Sequence, residues 1–363
     1  MKSNSSIKIC LVGISLGGGG AEKSIALQSK MLDSIENIEV HLVILTNNIA
    51  YDYKGELLNL GALKESKNTF FSRLYRFSHF RKYLKKHQFD YIIDNRPKNN
   101  FLKEYYYANY IYRGFKRVYV VHSSKQENYL TQKLRQGVKL YNKNFATIAV
   151  SNYIKNTVLE KNGVNKVKCI YNTFDEEKIE IAPQKELPQK YILAYGRMVD
   201  DIKDYSFLIK SYNHSKLWQE NIYLMLMGEG KDKTVLQSYA ESLDCAPFII
   251  FKPFLSNPYS IVKSSLFVTL TSKYEGFPMV LVESLASGVP LVSLDIKSGP
   301  SEIIQDRING LLVKDRDFKK FALALRDMAL DDKLYITCKK NTIKSISKFR
   351  EKEIVSQWKN LLF

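Results

Sequence analysis

Short apolar runs rich in β-branched residues alternate with helix-like segments along almost the whole chain, and this alternation limits the fold more than any other feature. Six runs in the first half are IKICLVGI, VHLVILT, YIIDN, RVYVVH, TIAVS and KVKCIYN. Five in the second half are YILAYG, IYLMLMG, PFIIFKP, LFVTLT and PLVSLD. Because strands and helices alternate, the pattern predicts an α/β fold with parallel sheets covered by helices.

The two groups of strands are separated by a polar stretch, EEKIEIAPQKELPQKY, which contains Pro183 and Pro188. This is the best candidate for a linker. A chain of 363 residues also exceeds the usual size of a single core. We therefore predict two Rossmann-like, doubly wound domains, residues 1–180 and 186–345, whose strand ends face a central cleft.

The C-terminal segment, residues 346–363, is predicted to end in an amphipathic helix. Ile354, Trp358 and Leu361 fall on one side of that helix at helical spacing. We expect this apolar side to pack back onto the first domain.

Several classes of protein are disfavoured by composition. No apolar stretch approaches the roughly 20 residues that span a bilayer, and the N-terminus has no cleavable signal, so we expect a cytoplasmic protein. The cysteines lack CxxC spacing and the five histidines form no ligand cluster. We expect no structural zinc and no other metal.

The net charge of +18 is concentrated in the first half of the chain. Residues 1–175 hold 28 Lys and Arg against 13 Asp and Glu, a net charge of +15. Such a basic domain suits nucleic acid, an anionic membrane or a phosphorylated ligand. Nucleic acid is disfavoured because no known binding module accompanies the charge.

Aromatic residues lie among these cations in NTFFSRLYRFSHFRKYLKKHQ, which predicts an amphipathic helix. The predicted core stripe is Phe70, Leu74, Phe77 and Leu84, and the residues predicted to point outward are Phe71, Tyr75, Phe80 and Tyr83. An outward face of this kind suits an anionic membrane surface, and peripheral membrane association is one expectation. An ordinary surface helix is the alternative.

Two glutamates flank a Gly-Phe-Pro turn in SKYEGFPMVLVESLASGVPLVS. Glu275 follows a predicted strand, Pro278 is expected to be the first residue of the next helix, and Gly288 to end that helix. Glu283 then lies inside the helix. The free N–H groups at the helix start favour an anion, so carboxylates nearby are expected to bind hydroxyl groups. Alternatively, Glu275 caps the helix and Glu283 lies on a solvated face.

Two cations follow the first strand of the second domain. Arg197 and Lys203 come after Gly196, where they could neutralise a diphosphate without a metal. Alternatively, each of the two is an ordinary surface cation. The next strand ends in a turn with Gly228 and Gly230, which is a weak phosphate signal alone.

The first domain offers two further candidates. Gly17 to Gly20 lie between a strand and a helix, where they allow backbone to approach a ligand or form a flexible turn. His122 ends the RVYVVH strand at the same predicted sheet edge.

Taken together, EGFPMVLVE, GRM followed by Lys203, GEG, the first loop ending in GGAE, and SGPSEII resemble retaining glycosyltransferases of family 4 with the two-domain GT-B fold. The resemblance covers nearly the whole chain. One departure is that GRMVDDIK places Lys203 one residue later than the family commonly does.

The resemblance implies a role for each matching residue. Glu275 binds hydroxyls of the donor sugar, Glu283 the ribose hydroxyls, Arg197 and Lys203 the diphosphate, and His122 the sugar near the reaction centre. The remaining positions expected to bind the donor or line the cleft are Gly18, Gly19, Gly228, Gly276, Phe277 and Pro278.

The implied reaction is transfer, with retention, of a hexose or N-acetylhexosamine from a nucleotide sugar, by preference a UDP-sugar. The expected acceptor is a glycan or a polyprenyl-diphosphate-linked glycan of a cell-surface polysaccharide, and no cofactor or metal is implied. A nucleotide-sugar epimerase of the same fold and a non-catalytic membrane-associated binding protein are the alternatives.

Overall fold

A computed structural model of the chain describes residues 6–63, 69–180, 187–314 and 316–363. Within these ranges thirteen strands form two wholly parallel sheets, so the predicted α/β fold class is confirmed. The strands are β1 (Ile7–Gly13), β2 (Ile38–Ile44), β3 (Glu56–Asn59), β4 (Tyr91–Asp94), β5 (Lys116–Val121), β6 (Ala146–Ala149), β7 (Val167–Cys169), β8 (Tyr191–Tyr195), β9 (Tyr223–Met227), β10 (Ile249–Lys252), β11 (Phe267–Leu270), β12 (Leu291–Leu294) and β13 (Gly310–Val313).

The α-helices of the described residues follow the strands along the chain. They are α1 (Gly20–Asp33), α2 (Phe70–His87), α3 (Phe101–Tyr106), α4 (Leu134–Tyr141), α5 (Asp200–Lys203), α6 (Tyr205–Ser215), α7 (Lys233–Glu241), α8 (Tyr259–Ser264), α9 (Met279–Ala286), α10 (Pro300–Ile303), α11 (Phe318–Leu330), α12 (Asp332–Ser345) and α13 (Glu351–Leu362). Two short π-helices span Tyr107–Ile111 and Ile154–Leu159.

Both sheets reverse their strand order at one internal position. The first sheet runs β3-β2-β1-β4-β5-β6-β7, and the second runs β10-β9-β8-β11-β12-β13. The order therefore reverses between β1 and β4 in one sheet and between β8 and β11 in the other. Ligands of doubly wound sheets bind beyond the carboxyl ends of the strands at such a switch point.

All eleven strands predicted from the sequence are present, and two others were missed. Strands β3 and β13 lie next to β2 and β12 at the edges of their sheets and have only four residues each. An edge strand has one neighbour and is only partly covered, so a long apolar run is not required there.

The chain forms two compact units: Met1–Thr173 with Ile354–Phe363, and Phe174–Glu353. The main segment of the first unit ends at Thr173, just before the predicted linker. Within that linker, residues Glu177–Glu180 form a 3₁₀ turn, and Pro183 lies outside the described residues. In the C-terminal helix α13, Ile354, Trp358 and Leu361 are buried. The Tyr91 hydroxyl donates a hydrogen bond to the Leu362 carbonyl (3.0 Å), which ties the end of α13 to the first unit.

The orientation predicted for helix α2 is wrong at three positions. Phe80, predicted to point outward, is fully buried, whereas Leu74, predicted to be in the core, is 44% exposed. Tyr83 is partly buried and bonds to His41 (2.6 Å). The core side of α2 is therefore the Phe77, Phe80 and Leu84 side, and the side chain of Phe70 is outside the described structure.

No helix among the described residues is long and apolar enough to cross a membrane.

Candidate active site

The loop after β11 brings Glu275 against Lys203. The Lys203 Nζ lies 2.5 Å from the Glu275 Oε1, and the Ser272 hydroxyl donates to the same oxygen (2.7 Å). The two charged side chains are 20% and 14% exposed, so solvent screens their attraction only in part. Since Lys203 follows β8 and Glu275 follows β11, the pair lies at the switch point of the second sheet.

The turn between the two glutamates is held in place by contacts with residues that follow it in the chain. The Ser298 hydroxyl donates to the Gly276 carbonyl (2.7 Å), and Phe277 packs on Phe349. Gly299 has a left-handed backbone (φ 99°), and a Cβ there would lie 2.2 Å from the Pro278 ring. The SGP and GFP segments therefore form one packed unit that aims the start of α9 at the switch point.

Helix α9 begins one residue later than predicted. Met279 is its first residue, and Pro278 takes the N-cap position with an extended backbone. Proline suits this position because it has no N–H group to leave unpaired. Gly288 follows the helix end with φ 78°, as predicted for a C-terminal glycine.

Glu283 does not lie on a solvated face, so that alternative is wrong. Its side chain is 2% exposed and accepts a hydrogen bond from the Tyr195 hydroxyl (3.1 Å). Burial, together with the Glu283 carboxylate, raises the pKa of Tyr195 well above its usual value, so the hydroxyl keeps its proton and donates. Tyr195 is the last residue of β8, which places Glu283 at the same switch point.

Glycines let the loops after β8 and β9 pack backbone to backbone. A Cβ on Gly228 would lie 1.9 Å from the Gly196 carbonyl oxygen, and one on Gly230 would lie 2.2 Å from the Met198 carbonyl oxygen. The Gly196 N–H donates to the Met227 carbonyl (2.9 Å). The GEG turn therefore supports the loop that carries Arg197. This close packing requires glycine at position 228, whether or not Gly228 also contacts a ligand.

Arg197 is exposed, and among the described residues its guanidinium has no ion-pair partner. The three aspartates of the same loop are each engaged elsewhere. Asp200 accepts from the Ser206 N–H (2.9 Å), Asp201 lies 3.4 Å from the Lys231 Nζ, and Asp204 pairs with Arg316. The acidic residues therefore leave the Arg197 charge uncompensated within the described part of the chain.

Arg316 was missed by the sequence analysis. Its guanidinium binds the Asp204 carboxylate, the Thr271 carbonyl (3.1 Å) and the Ser272 carbonyl (2.7 Å). The Thr271 hydroxyl in turn donates to the carbonyls of Lys203 and Asp204 (both 3.1 Å). These bonds fix the loop after β8 to the loop after β11. No local pattern announces this role, because Arg316 lies more than 40 residues after the loop it holds.

In the first unit, the glycine loop is partly fixed. The Ser15 hydroxyl donates to the Gly17 carbonyl (3.0 Å), and a Cβ on Gly17 would meet Asn48 at 2.8 Å. Gly18 has φ 95°, and Gly19 is the N-cap of α1 with no side-chain cap. The loop follows β1 and so lies at the switch point of the first sheet, with the free N–H groups of α1 after it.

His122 is held in one tautomer by a chain of amides. The Asn95 Nδ2 donates to the Gln28 Oε1 (3.1 Å), so the Asn95 Oδ1 accepts from the His122 Nε2–H (2.8 Å). The His122 Nδ1 is therefore an acceptor; it is shielded from solvent and has no partner within the described residues. Burial, with a smaller effect from Lys98, lowers the pKa of His122 from its usual 6.5 to about 3. His122 is thus neutral and can accept, but not donate, through Nδ1.

A hollow open to solvent, with about 330 Å³ of empty space when its mouth is included, lies beside His122 in the first unit. Its polar lining includes Ser24, Gln28, Asn95 and Asn172, and Trp358 of α13 closes part of it.

A buried ionic cluster includes both sequence neighbours of Asn95, which lines this hollow. Arg96 pairs with Asp94 (2.6 Å) and Glu104 (3.1 Å), and its guanidinium stacks 3.7 Å from the Tyr107 ring. The Lys98 Nζ donates to the Arg96 carbonyl (2.7 Å). Burial lowers the pKa of Lys98 to about 8. The cluster fixes both sequence neighbours of Asn95. It was not predicted, since its members lie in different elements: Asp94 ends β4, Arg96 and Lys98 lie in the loop after it, and Glu104 lies in α3.

One group among the described residues could bring three ligand atoms to a metal: Glu39, His41 and His87. The Glu39 carboxylate is already taken by Lys8 (3.0 Å) and by the His41 Nε2 (2.8 Å). Glu39 and His41 lie in the first half of β2 and His87 ends α2, so the group is away from the carboxyl ends of the strands and we assign it no part in the site.

Two family models match the chain. The model for Glycosyltransferase Family 4 matches residues 18–178, and the model for Glycosyl transferases group 1 matches residues 175–345. Over 333 residues the chain is 28% identical to a Campylobacter jejuni N-acetylgalactosamine-N,N'-diacetylbacillosaminyl-diphospho-undecaprenol 4-alpha-N-acetylgalactosaminyltransferase, covering 88% of this chain and 89% of that protein. It is 29% identical to an Escherichia coli lipopolysaccharide 1,6-galactosyltransferase over 185 residues, about half of each chain.

Solved structures share the complete fold. Staphylococcus aureus TarM, crystallised with fondaparinux, alpha-GlcNAc-glycerol and UDP, aligns over 99% of both chains with a TM-score of 0.79 at 15% identity. Anabaena HepE with UDP and glucose aligns over 98% of this chain and 99% of its own with a TM-score of 0.78 at 19% identity. These alignments define a GT-B protein with two Rossmann-like domains. The two family models together run from residue 18 to residue 345, and the chain belongs to glycosyltransferase family 4.

Proposed function

We propose that this glycosyltransferase moves a hexose or N-acetylhexosamine from a UDP-sugar, with retention, to a glycan or polyprenyl-diphosphate-linked acceptor during assembly of a cell-surface polysaccharide. The observation that carries the proposal is the contact of Lys203 with Glu275 at the switch point, in the loop that also carries Arg197, whose guanidinium has no ion-pair partner among the described residues. The activities of the C. jejuni and E. coli relatives support this class of donor and acceptor, as does UDP in the two aligned structures.

The leaving diphosphate is assigned to Arg197 and Lys203. Breaking the bond between sugar and diphosphate builds negative charge on the leaving phosphate, and fixed cations stabilise it. An ammonium group has three protons, so Lys203 can bind a phosphate oxygen while it keeps its bond to Glu275. Arg197 can offer two parallel N–H groups to the same diphosphate.

The sugar and ribose ends are assigned to the two glutamates. Glu275, together with the N–H groups of Gly276 and Phe277, binds sugar hydroxyls next to the Lys203 ammonium. Glu283, buried and held by Tyr195, binds the ribose hydroxyls. His122 accepts a sugar hydroxyl through Nδ1, the atom that lacks a partner among the described residues. Gly18 and Gly19 are proposed to bring backbone close to the substrates.

Retention by attack on the same face of the sugar requires neither glutamate to act as a nucleophile. In this scheme an oxygen of the leaving phosphate helps to remove the acceptor proton. No metal is needed for charge neutralisation, because Arg197 and Lys203 supply it. Activity is therefore expected to persist in excess chelator.

The experiment is product analysis with a panel of UDP-sugars, with and without a glycan acceptor. We expect UDP release that depends on the acceptor, and a glycosidic bond with the anomeric configuration of the donor by NMR. An inverted product would disprove the retaining mechanism. Conversion of the nucleotide sugar to an epimer without any acceptor would instead establish the epimerase alternative.

A further inference from the structure

Helix α2 presents one outward side whose character changes along its length. Phe71, Leu74 and Tyr75 are 80%, 44% and 60% exposed. They lie at i, i+3 and i+4 and therefore share one side of the helix. Eleven residues later, about three turns on, the same side carries the exposed lysines Lys82, Lys85 and Lys86.

A second exposed apolar group lies next to helix α2, beyond the partly buried Phe77. Leu102, Tyr105 and Tyr110 of α3 and the following π-helix are 73%, 54% and 53% exposed. The two groups are linked through rings, because Phe77 of α2 lies 5.2 Å from Tyr106, which stacks 5.0 Å from Tyr110. We call the combined surface the basic-aromatic face; it consists of Phe71, Leu74, Tyr75, Leu102, Tyr105 and Tyr110 with the three lysines.

The basic-aromatic face carries no exposed acidic side chain. Helix α2 contains six Lys and Arg and no Asp or Glu. The one acidic residue of α3 and the π-helix, Glu104, is buried and paired with Arg96. Lysine is a point charge without a directional fork, which suits a diffuse anionic surface better than a defined carboxylate or phosphate pocket. Tyrosine, with an apolar ring and a polar tip, is enriched at membrane interfaces.

We propose that the basic-aromatic face docks the first unit on a bilayer that contains anionic lipids. The aromatic half inserts among the headgroups and the lysines contact the lipid phosphates. This inference goes beyond the proposed reaction, since sugar transfer to a water-soluble acceptor does not require it.

Helix α2 can serve as part of a fixed surface, because its inner side is firmly held. Phe80 and Leu84 are fully buried, and the Arg81 Nη1 donates to the Ile111 carbonyl (2.9 Å). Tyr83 bonds to both His41 and Glu56 (2.6 and 3.1 Å). The exposed side can therefore meet a membrane without unfolding or detaching the helix.

The test is cosedimentation of the full-length protein with sucrose-loaded vesicles of phosphatidylcholine, with and without phosphatidylglycerol, at low and high salt. We expect binding only when phosphatidylglycerol is present, and weaker binding at high salt. Each cation near an anionic leaflet contributes about fivefold to partitioning, so the Lys82→Gln, Lys85→Gln, Lys86→Gln triple variant should bind roughly 100-fold more weakly. The Phe71→Ser, Tyr75→Ser double variant should also lose binding.

Helix α12 of the second unit offers matched controls. Ile336 and Ile343 are 49% and 52% exposed there, and Lys339, Lys340 and Lys344 are exposed beside them. Ile336→Ser with Ile343→Ser, and the three lysines changed to glutamine, should bind vesicles like the wild type. Circular dichroism and melting temperature should stay unchanged in all four variants, because every altered side chain is on the surface.

Three results would overturn the proposal: no binding of the wild type to anionic vesicles, equal binding to neutral vesicles, or equal losses in the control variants. The first of these would assign the face to a protein partner instead. Because the readout is vesicle binding, none of them bears on the proposed reaction, and transfer to a soluble acceptor should be normal in the face variants.

Discussion

Replacing Arg197 by alanine should lower turnover by at least a hundredfold without unfolding the protein. The side chain is exposed and has no ion-pair partner within the described residues, so its removal should change the free energy of unfolding by less than about 0.5 kcal/mol. Loss of one preorganised donor to a developing negative charge raises the barrier by about 3 kcal/mol. At 1.36 kcal/mol per factor of ten, that is a loss of more than 100-fold in kcat.

The assay is steady-state UDP release with acceptor present, alongside thermal melting of the same preparations. Lys231→Ala is the matched control, since Lys231 is an exposed cation in the adjacent loop whose partner, Asp201, is also exposed. We expect the control to retain activity, and Arg197→Lys, which keeps the charge but not the fork, to fall between the two. Near-normal turnover of Arg197→Ala would refute the leaving-group assignment, and so would an equal loss in Lys231→Ala.

Three further predictions follow from the packing and the protonation of the site. Gly228→Ala should lower stability by about 2–4 kcal/mol in urea unfolding, because its Cβ would meet the Gly196 carbonyl at 1.9 Å, whereas Gly20→Ala, with nothing within 4 Å, should be neutral or slightly stabilising; equal effects would contradict the packing argument. Tyr195→Phe should raise the donor KM by roughly tenfold with little change in kcat, because a hydrogen bond to a carboxylate is worth about 1.5–3 kcal/mol and Glu283 is assigned to the ribose. A selective loss of kcat would instead assign Glu283 to the reaction centre. The pKa of His122 is about 3 in the fold and 6.5 in the unfolded chain, so between these pH values only the unfolded chain binds the proton. The free energy of unfolding of the wild type should therefore fall by about 2 kcal/mol more than that of His122→Gln between pH 6.5 and pH 4.5. Parallel pH curves would show that His122 is not buried neutral.

The second unit was largely predictable because its site is built from short local patterns. Strand β8 ends at Tyr195, just before Gly196, strand β11 ends before Glu275, and parallel strands bring their carboxyl ends to one edge. The alternation of strands and helices was therefore enough to predict that Arg197, Lys203 and Glu275 lie near one another. The one-residue error at Pro278 reflects a helix start that depends on a contact with Gly299, more than 20 residues away.

The interactions that complete the site could not be predicted, because they join residues far apart in sequence. Arg316 reaches back to Asp204, and the cluster of Asp94, Arg96 and Glu104 supports Asn95 from inside the core. Isolated charged residues look like surface residues in a sequence, since burial is unfavourable without partners. The misassigned side of α2 has the same origin, because its helical periodicity fits two neighbouring stripes and only packing against the Tyr107–Ile111 π-helix chooses between them.

The contact between Lys203 and Glu275 decides which cation gives the clearer test. Lys203→Ala would remove an attraction for the diphosphate and also leave the Glu275 carboxylate without its cation, next to the incoming negative charge. The measured loss would then combine lost attraction with new repulsion and could exceed the worth of Lys203 itself. Arg197 has no such partner within the described residues, so its removal changes one interaction only. If both cations grip the diphosphate, adding Glu275→Gln to Lys203→Ala should recover donor affinity while leaving turnover low. If Lys203 serves only to hold Glu275, the double variant should bind the donor with the same affinity as Glu275→Gln alone.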